Sequence, residues 1–221
     1  MEPKQIIISL TSWKKRIQNV PMVIQSILTG TKPPDKIVLN LSTDEFLLKD
    51  KELPTYLLML KETNKIEINW VKENTKAFKK IIPTMKLYPE SVVISIDDDI
   101  IYPEFFVEKM VSKYNETGNI ITWWDSKINN IPFVTGDSTL YDAAKLTPFI
   151  YEKLTQEIIN SNADDIWYSW CIRQLGLNIT PITNYKSAKY FCHFNDIDRL
   201  SNGQYTNKNT IDIITKTYGK F

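Results

Sequence analysis

Short runs of β-branched and other apolar residues recur at 6–10, 37–41, 66–71 and 91–96, with a helix-sized interval after each of the first three. Each run has the length and composition of a buried strand. The intervals carry helix signals: Pro21 opens an apolar-periodic stretch closed by Gly30, Pro54 opens a second, and residues 76–88 make a third, bent or restarted at Pro83. A helix between two strands is the usual way to bring the chain back parallel to the strand it left. The pattern therefore predicts an α/β domain, an open and mostly parallel sheet with helices on both faces. The common order 3-2-1-4 would set the first and fourth strands side by side, where the winding reverses and a crevice opens.

The second half is less regular. Helices are expected over 103–114, 147–160 and 163–175, and strands over 120–124, 131–134, 179–182 and 188–192. Residues 200–209, rich in Asn, Ser and Thr, read as a mobile loop before a helical end at 211–218. With no internal repeat and no linker, a single domain over 1–221 is expected, with residues 1–100 and 101–221 as its two halves.

Composition removes several functions. The 27 Lys and Arg nearly cancel the 26 Asp and Glu, leaving a net charge of +1. No nucleic-acid partner is expected, because such binding rests on neutralising phosphates. Two cysteines, Cys171 and Cys192, supply neither a disulfide framework nor a four-cysteine zinc site. No apolar run approaches the roughly 20 residues of a membrane-spanning helix, and the stretch 5–10 is too short for a signal peptide, so a cytoplasmic location is expected. The 6 glycines are scattered. They form neither dinucleotide fingerprint nor phosphate loop, so a bound nucleotide must be held another way.

Asp97, Asp98 and Asp99 follow Ile96 directly, placing three carboxylates at the end of a buried strand. Adjacent like charges repel, and burial adds to that cost. A hard divalent cation such as Mg2+ or Mn2+ relieves it. The loop leaving the first strand, Thr11-Ser12-Trp13-Lys14-Lys15-Arg16, would face them with hydroxyls and cations. That pairing suits a nucleoside diphosphate bridged through a metal. The plainer alternative is a solvated turn leading into a helix at Pro103, where acids are favourable near the N-terminus.

The run 94–99 resembles the DXD motif of GT-A-type glycosyltransferases. The surroundings are similar in the same order: residues 8–13 with Arg16, Leu53-Pro54, residues 74–83, and Ala163-Asp164-Asp165-Ile166-Trp167. These look like landmarks of bacterial GT-A enzymes that build capsular or lipopolysaccharide glycans. The resemblance implies a GT-A (Rossmann-like) fold whose first half binds a nucleotide sugar and whose irregular C-terminal part binds the acceptor. It implies transfer from a nucleoside-diphosphate sugar to the hydroxyl of a glycan or lipid-linked acceptor, dependent on Mn2+ or Mg2+. Peripheral association with the inner face of the membrane would fit such an acceptor.

Carried onto this chain, Asp97 would contact the donor and, with Asp99, the metal, with Asp98 assisting. Thr11, Ser12, Arg16, Lys79 and Lys80, with Lys76, would line the donor site. Asp165 would be the base, with Asp164 beside it. His193, the lone histidine, would be a further metal ligand, and Arg199 would meet the leaving diphosphate. Each has a plainer alternative. The lysines would form a solvated helix face, Asn162 would cap a helix that Asp164 and Asp165 begin, and His193 would be structural. Trp123, Trp124, Trp167, Tyr168 and Trp170 offer faces for sugar rings, although core or pocket wall is the usual place for them. Two other functions compete. One is a haloacid-dehalogenase-type phosphohydrolase, whose acidic motif normally opens the first strand of the domain, whereas three strands precede it here, and is followed by Thr or Val rather than Ile100. The other is a catalytically silent carbohydrate- or metal-binding module.

Overall fold

A computed structural model describes residues 4–183, 191–194 and 204–219. Strands β1 (Ile6–Thr11), β2 (Lys36–Ser42), β3 (Glu67–Val71) and β4 (Val92–Ile96) run parallel in the order β3-β2-β1-β4. Between them lie α1 (Val20–Leu28), α2 (Thr55–Glu62), a 3-10 turn (Lys76–Lys80) and α3 (Ile82–Leu87). Pro21 and Pro83 sit in the first turns of α1 and α3, and Pro54 is the N-cap of α2. There a missing N–H costs nothing, so each proline marks a helix start.

The chain continues through β5 (Ile100–Ile101) and α4 (Phe106–Thr117), which ends at Gly118 in the left-handed region, φ 67°. Next come β6 (Ile120–Trp124), the hairpin β7 (Lys127–Ile128) with β8 (Ile131–Pro132), and β9 (Ser138–Asp142). Helices α5 (Ala143–Leu146), α6 (Phe149–Glu152), α7 (Gln156–Ser161) and α8 (Asp164–Gln174) follow, then β10 (Ile179–Thr183), β11 (Cys192–His193) and α9 (Gln204–Tyr218). The main sheet has the order β10-β6-β9-β4-β1-β2-β3, and β9 runs antiparallel to both its neighbours.

Adjacent residues of a strand point to opposite faces, and here both faces are covered. Ile8, Leu39 and Ile94 pack under α1, α2 and α4, while Ile7, Val38 and Val93 pack under α3 and α5 to α9. No helix among the described residues is long and apolar enough to cross a membrane.

Several expected elements are corrected. β9 is not predicted by the sequence pattern, because only Leu140 and Tyr141 of its five residues are apolar or aromatic, although all are buried. The helix expected over 147–160 is divided in two, and the Thr155 side chain accepts from the Ile158 N–H to begin α7. The helix expected from 103 begins at Phe106, and the strand expected over 131–134 is two residues long. Residues 204–209 belong to α9 rather than to a loop; it packs on α7 through Thr210, whose hydroxyl donates to Ser161 Oγ at 2.7 Å, and Ile214 is fully buried. Residues 188–190 of one expected strand lie outside the described residues.

A polar cluster inside the sheet fixes the wall of the cleft described below. Ser9 and Asn40 are buried on β1 and β2. The Ser9 hydroxyl donates to the Lys80 carbonyl and lies 2.6 Å from Thr84 Oγ1. Asn40 Nδ2 donates to Thr84 Oγ1 at 2.8 Å, and Asn40 Oδ1 accepts from Asn69 at 2.8 Å. Asn40→Leu would strand several buried polar groups at once, a loss of about 2–3 kcal/mol. Urea unfolding should show a lower midpoint with an unchanged slope; a midpoint like the wild type's would show the cluster to be energetically idle.

Candidate active site

The winding reverses between β1 and β4, and a cleft of about 580 Å3 opens at their carboxyl ends. Thr11, Ser12, Arg16, Lys76, Lys79, Lys80, Asp97, Asp98, Asp99, Asp164, Asp165 and His193 all border it. Residues far apart in sequence are thus brought to one place.

The acidic turn is held from both sides. Asp98 is 6% exposed. Ser12 Oγ donates to its Oδ2 at 2.6 Å, and Arg16 Nη1 donates to its Oδ1 at 3.0 Å. The same Arg16 nitrogen is 3.4 Å from Asp99 Oδ2. The Thr11 hydroxyl turns to β2, donating to the Asn40 carbonyl at 2.8 Å. The backbone N–H of Asp97 donates to the Tyr102 hydroxyl at 2.8 Å, which donates onward to the Asp137 carbonyl at 2.6 Å. One tyrosine therefore ties the acidic turn to the loop entering β9.

Lys79 and Lys80 do not form a solvated face. They are 2% and 6% exposed, because the 3-10 turn carrying them is clamped to the sheet at the Lys80 carbonyl. Lys79 Nζ reaches Glu45 Oε2 and Asn74 Oδ1, both at 2.7 Å. Lys80 Nζ pairs with Asp97 and donates to the Gly136 carbonyl at 2.9 Å. A Cβ on Gly136 would stand 3.0 Å from that ammonium, a tight contact that the lysine end would have to yield to by a few tenths of an ångström.

The electrostatics follow from burial and crowding. Burial raises the Asp98 pKa, and the bonds from Ser12 and Arg16 offset only part of that. Burial and the charge of Asp97 raise Asp99, with Arg16 in partial opposition. Burial opposes the charge on Lys80, but Asp97, Asp164 and Asp137 outweigh it and hold the amine protonated.

At the far side of the cleft, α8 begins with Asp164 and Asp165. Its N-cap is Ala163, which makes no side-chain cap. Asn162 does not cap it either; it ends α7 in the left-handed region at φ 64°. Asp165 Oδ1 accepts from the Ile166 N–H at 2.9 Å. Burial raises the Asp164 carboxyl, with Lys80 opposing, and burial together with Asp164 pushes Asp165 up to about 7. Among the described residues, Asp164 Oδ2 and Asn162 Oδ1 are buried acceptors with no hydrogen-bond donor.

His193 arrives on β11, which pairs antiparallel with β5 and sets His193 opposite Ile100. The Phe194 N–H donates to the Asp99 carbonyl at 2.9 Å, fastening this segment to the exit of the acidic turn. Among the described residues, no three His, Cys, Asp or Glu side chains converge as a closed metal cage. The donor set still fits a hard cation. Three carboxylates of the turn face two cations, Arg16 and Lys80, and Mg2+-type ions commonly take one or two carboxylates and complete their shell with water and substrate phosphates.

Of the aromatic residues singled out from the sequence, Trp123, Trp167, Tyr168 and Trp170 are buried core, and Trp124 alone borders the cleft. Arg199 lies outside the described residues. Sequence reasoning missed Trp13, Glu45, Asn74 and Asp137 as wall residues. The signal for Asp137 is a Gly-Asp pair immediately before a strand, and that strand has no apolar pattern to reveal it.

No sequence-family model and no curated protein sequence matches the chain. Solved structures do. The mannosyltransferase PcManGT from Pyrobaculum calidifontis, in complex with GDP-mannose and Mn2+, matches with a TM-score of 0.58 at 13% identity, over 83% of this chain and 56% of that one. TarS from S. aureus matches at 0.56 and 11% identity, over 81% of this chain and 36% of that one. TarS 1–349 in complex with UDP matches at 0.56 and 11%, over 81% and 59%. The chain thus spans less than two thirds of the length of each. Likeness at such identities is likeness of fold, and the fold of this chain is of the GT-A type.

Proposed function

We propose that the protein is a metal-dependent glycosyltransferase that moves a sugar from a nucleoside diphosphate to a hydroxyl of a glycan or lipid-linked acceptor. One observation carries this reading: a single cleft joins the crowded acidic turn at 97–99 to the buried Asp164 and half-buried Asp165, with the buried Lys80 held by the charges of both Asp97 and Asp164. Glycosyl transfer needs both ends. Negative charge grows on the departing diphosphate while the attacking hydroxyl loses a proton. The GDP-mannose, Mn2+ and UDP bound to the structural neighbours support the same assignment.

In this reading Asp97 and Asp99, with His193 beside them, hold Mn2+ or Mg2+, and Asp97 also touches the donor. The bound ion would stabilise charge on the leaving diphosphate. Asp98 keeps Ser12 and Arg16 in place behind the site. Thr11, Lys76, Lys79 and Lys80 line the donor side. Asp165, whose carboxyl titrates near neutrality, accepts the proton of the attacking hydroxyl, and Asp164 raises its basicity. The acceptor belongs to a bacterial surface polysaccharide and is met at the cytoplasmic face of the membrane.

Calorimetric titration with UDP and GDP tests the reading. Binding should require Mn2+ or Mg2+ and vanish in chelator. With ligand at a hundred times its Kd, the fold should gain about 2.7 kcal/mol. Nucleotide sugars should be slowly hydrolysed, and a generic phosphate ester should not be cleaved. Metal-independent nucleotide binding, or phosphatase activity, would overturn the assignment.

A further inference from the structure

We propose that Trp124 and Asp137 form a pyranose-binding subsite in the middle of the cleft. This rests on the transferase reading and adds where the sugar ring lies. Trp124 ends β6 and is half-buried at the cleft wall. Its indole is fixed on two sides: Nε1 donates to Asp137 Oδ2 at 3.1 Å, and the Phe191 ring lies 5.1 Å away, tilted by 51°. Asp137 Oδ1 accepts from the Ser138 hydroxyl at 2.8 Å. Each carboxylate oxygen has two acceptor sites, so Asp137 keeps capacity for ligand hydroxyls while it orients the indole.

A rigid aromatic surface beside a carboxylate with spare lone pairs matches a pyranose, which offers an apolar C–H face and a rim of hydroxyl donors. Arg16, Lys76 and Lys79 border this cleft together with the hydroxyl-bearing Ser126 and Thr135. Two links place Asp137 within it. The Asp137 carbonyl is joined through Tyr102 to the Asp97 N–H. The Asp137 charge is also felt at Asp165. A ring over Trp124 therefore lies between the leaving-group end and the base, as the transferred or the accepting sugar must.

The test compares bare UDP and GDP with UDP-glucose, UDP-N-acetylglucosamine and GDP-mannose, and adds a panel of methyl pyranosides, all with Mn2+. Trp124→Ala should weaken binding of the preferred sugar nucleotide, or of the glycoside, about tenfold or more, and leave the bare diphosphate within about twofold. Trp124→Phe should recover most of the loss. Asp137→Asn should change the preference among sugars about tenfold and keep the fold. A defect already present without glycoside assigns the transferred ring, and one seen only on adding glycoside assigns the accepting ring. If wild type binds sugar nucleotides and Trp124→Ala and Asp137→Asn do so equally well in both arms, the subsite is wrong and the transferase reading stands. If wild type binds no nucleotide, both fall.

Discussion

Asp165→Asn is expected to abolish sugar transfer and to make the folded protein more stable above neutral pH. The first effect follows from removing the proton acceptor, which typically costs about 10²–10⁴-fold in rate. The second follows from linkage. Burial and the neighbouring Asp164 push the Asp165 carboxyl up to about 7, far above the ordinary carboxylate range. The folded state therefore holds this proton more tightly than the unfolded chain does. Below about pH 4 both states are protonated and the group costs nothing. As pH rises toward 7 the unfolded chain ionises freely while the folded one resists, and stability falls; above 7 the deficit is complete. Each tenfold difference in proton affinity between the two states is worth about 1.4 kcal/mol, so the deficit reaches a few kcal/mol. Asparagine keeps the shape and can still accept from the Ile166 N–H. Urea unfolding should thus show the gain of the variant absent at pH 4, growing to pH 7 and level beyond. The wild-type kcat/KM should rise along the same window, reaching its plateau above an apparent pKa near 7. A variant with both wild-type turnover and wild-type stability at pH 8 would remove Asp165 from the chemistry.

The same contrast of cost and use explains which parts of the molecule were legible. Strands β1 to β4 read plainly because helices cover both faces of the sheet, so most of their positions are apolar and the runs are β-branched. The polar exceptions were the informative ones. Ser9 and Asn40 interrupt those runs because they anchor the Lys80 carbonyl and Thr84. That anchoring buries Lys79 and Lys80, which removes the solvated helix face that stood as the plainer alternative to a place in the donor site. β9 was hidden for a related reason. The Thr139 N–H is satisfied by the Ser95 hydroxyl at 3.2 Å, and Thr139 Oγ1 donates to the Thr135 carbonyl at 2.8 Å. Polar residues satisfied by a neighbouring strand and by the preceding loop carry no strand signal of their own. With β9 unseen, the loop before it stayed unread, and Asp137 with it. The acidic turn was legible because three carboxylates after a buried strand conflict with local physics, and such conflicts concentrate at functional sites.

The three adjacent aspartates should fail in different ways. Asp99→Ala should fold as well as wild type and lose Mn2+-dependent binding of UDP or GDP by about a hundredfold or more, equivalent to about 2.7 kcal/mol. Its carboxyl is destabilised in the folded protein by burial and by Asp97, and Arg16 at 3.4 Å offsets only part of this. Removing it relieves repulsion and takes away the group with most to gain from a cation. Asp98→Ala should instead unfold early. Its two oxygens accept from Ser12 and Arg16, and Arg16 is only 13% exposed. Asp99 remains near Arg16, and the loss of two hydrogen bonds to a charged, largely buried carboxylate costs about 2–3 kcal/mol. In Asp97→Ala the Lys80 ammonium loses its paired carboxylate but keeps the Gly136 carbonyl and the field of Asp164. Intermediate stability and weakened donor binding are expected there. Thermal unfolding and nucleotide titration of the three variants, with Mn2+ and with chelator, separate these outcomes. If Asp99→Ala binds UDP or GDP in Mn2+ as tightly as wild type, the cation is not held at this turn, and the positive charge facing the diphosphate must come from Arg16, Lys79 and Lys80 alone.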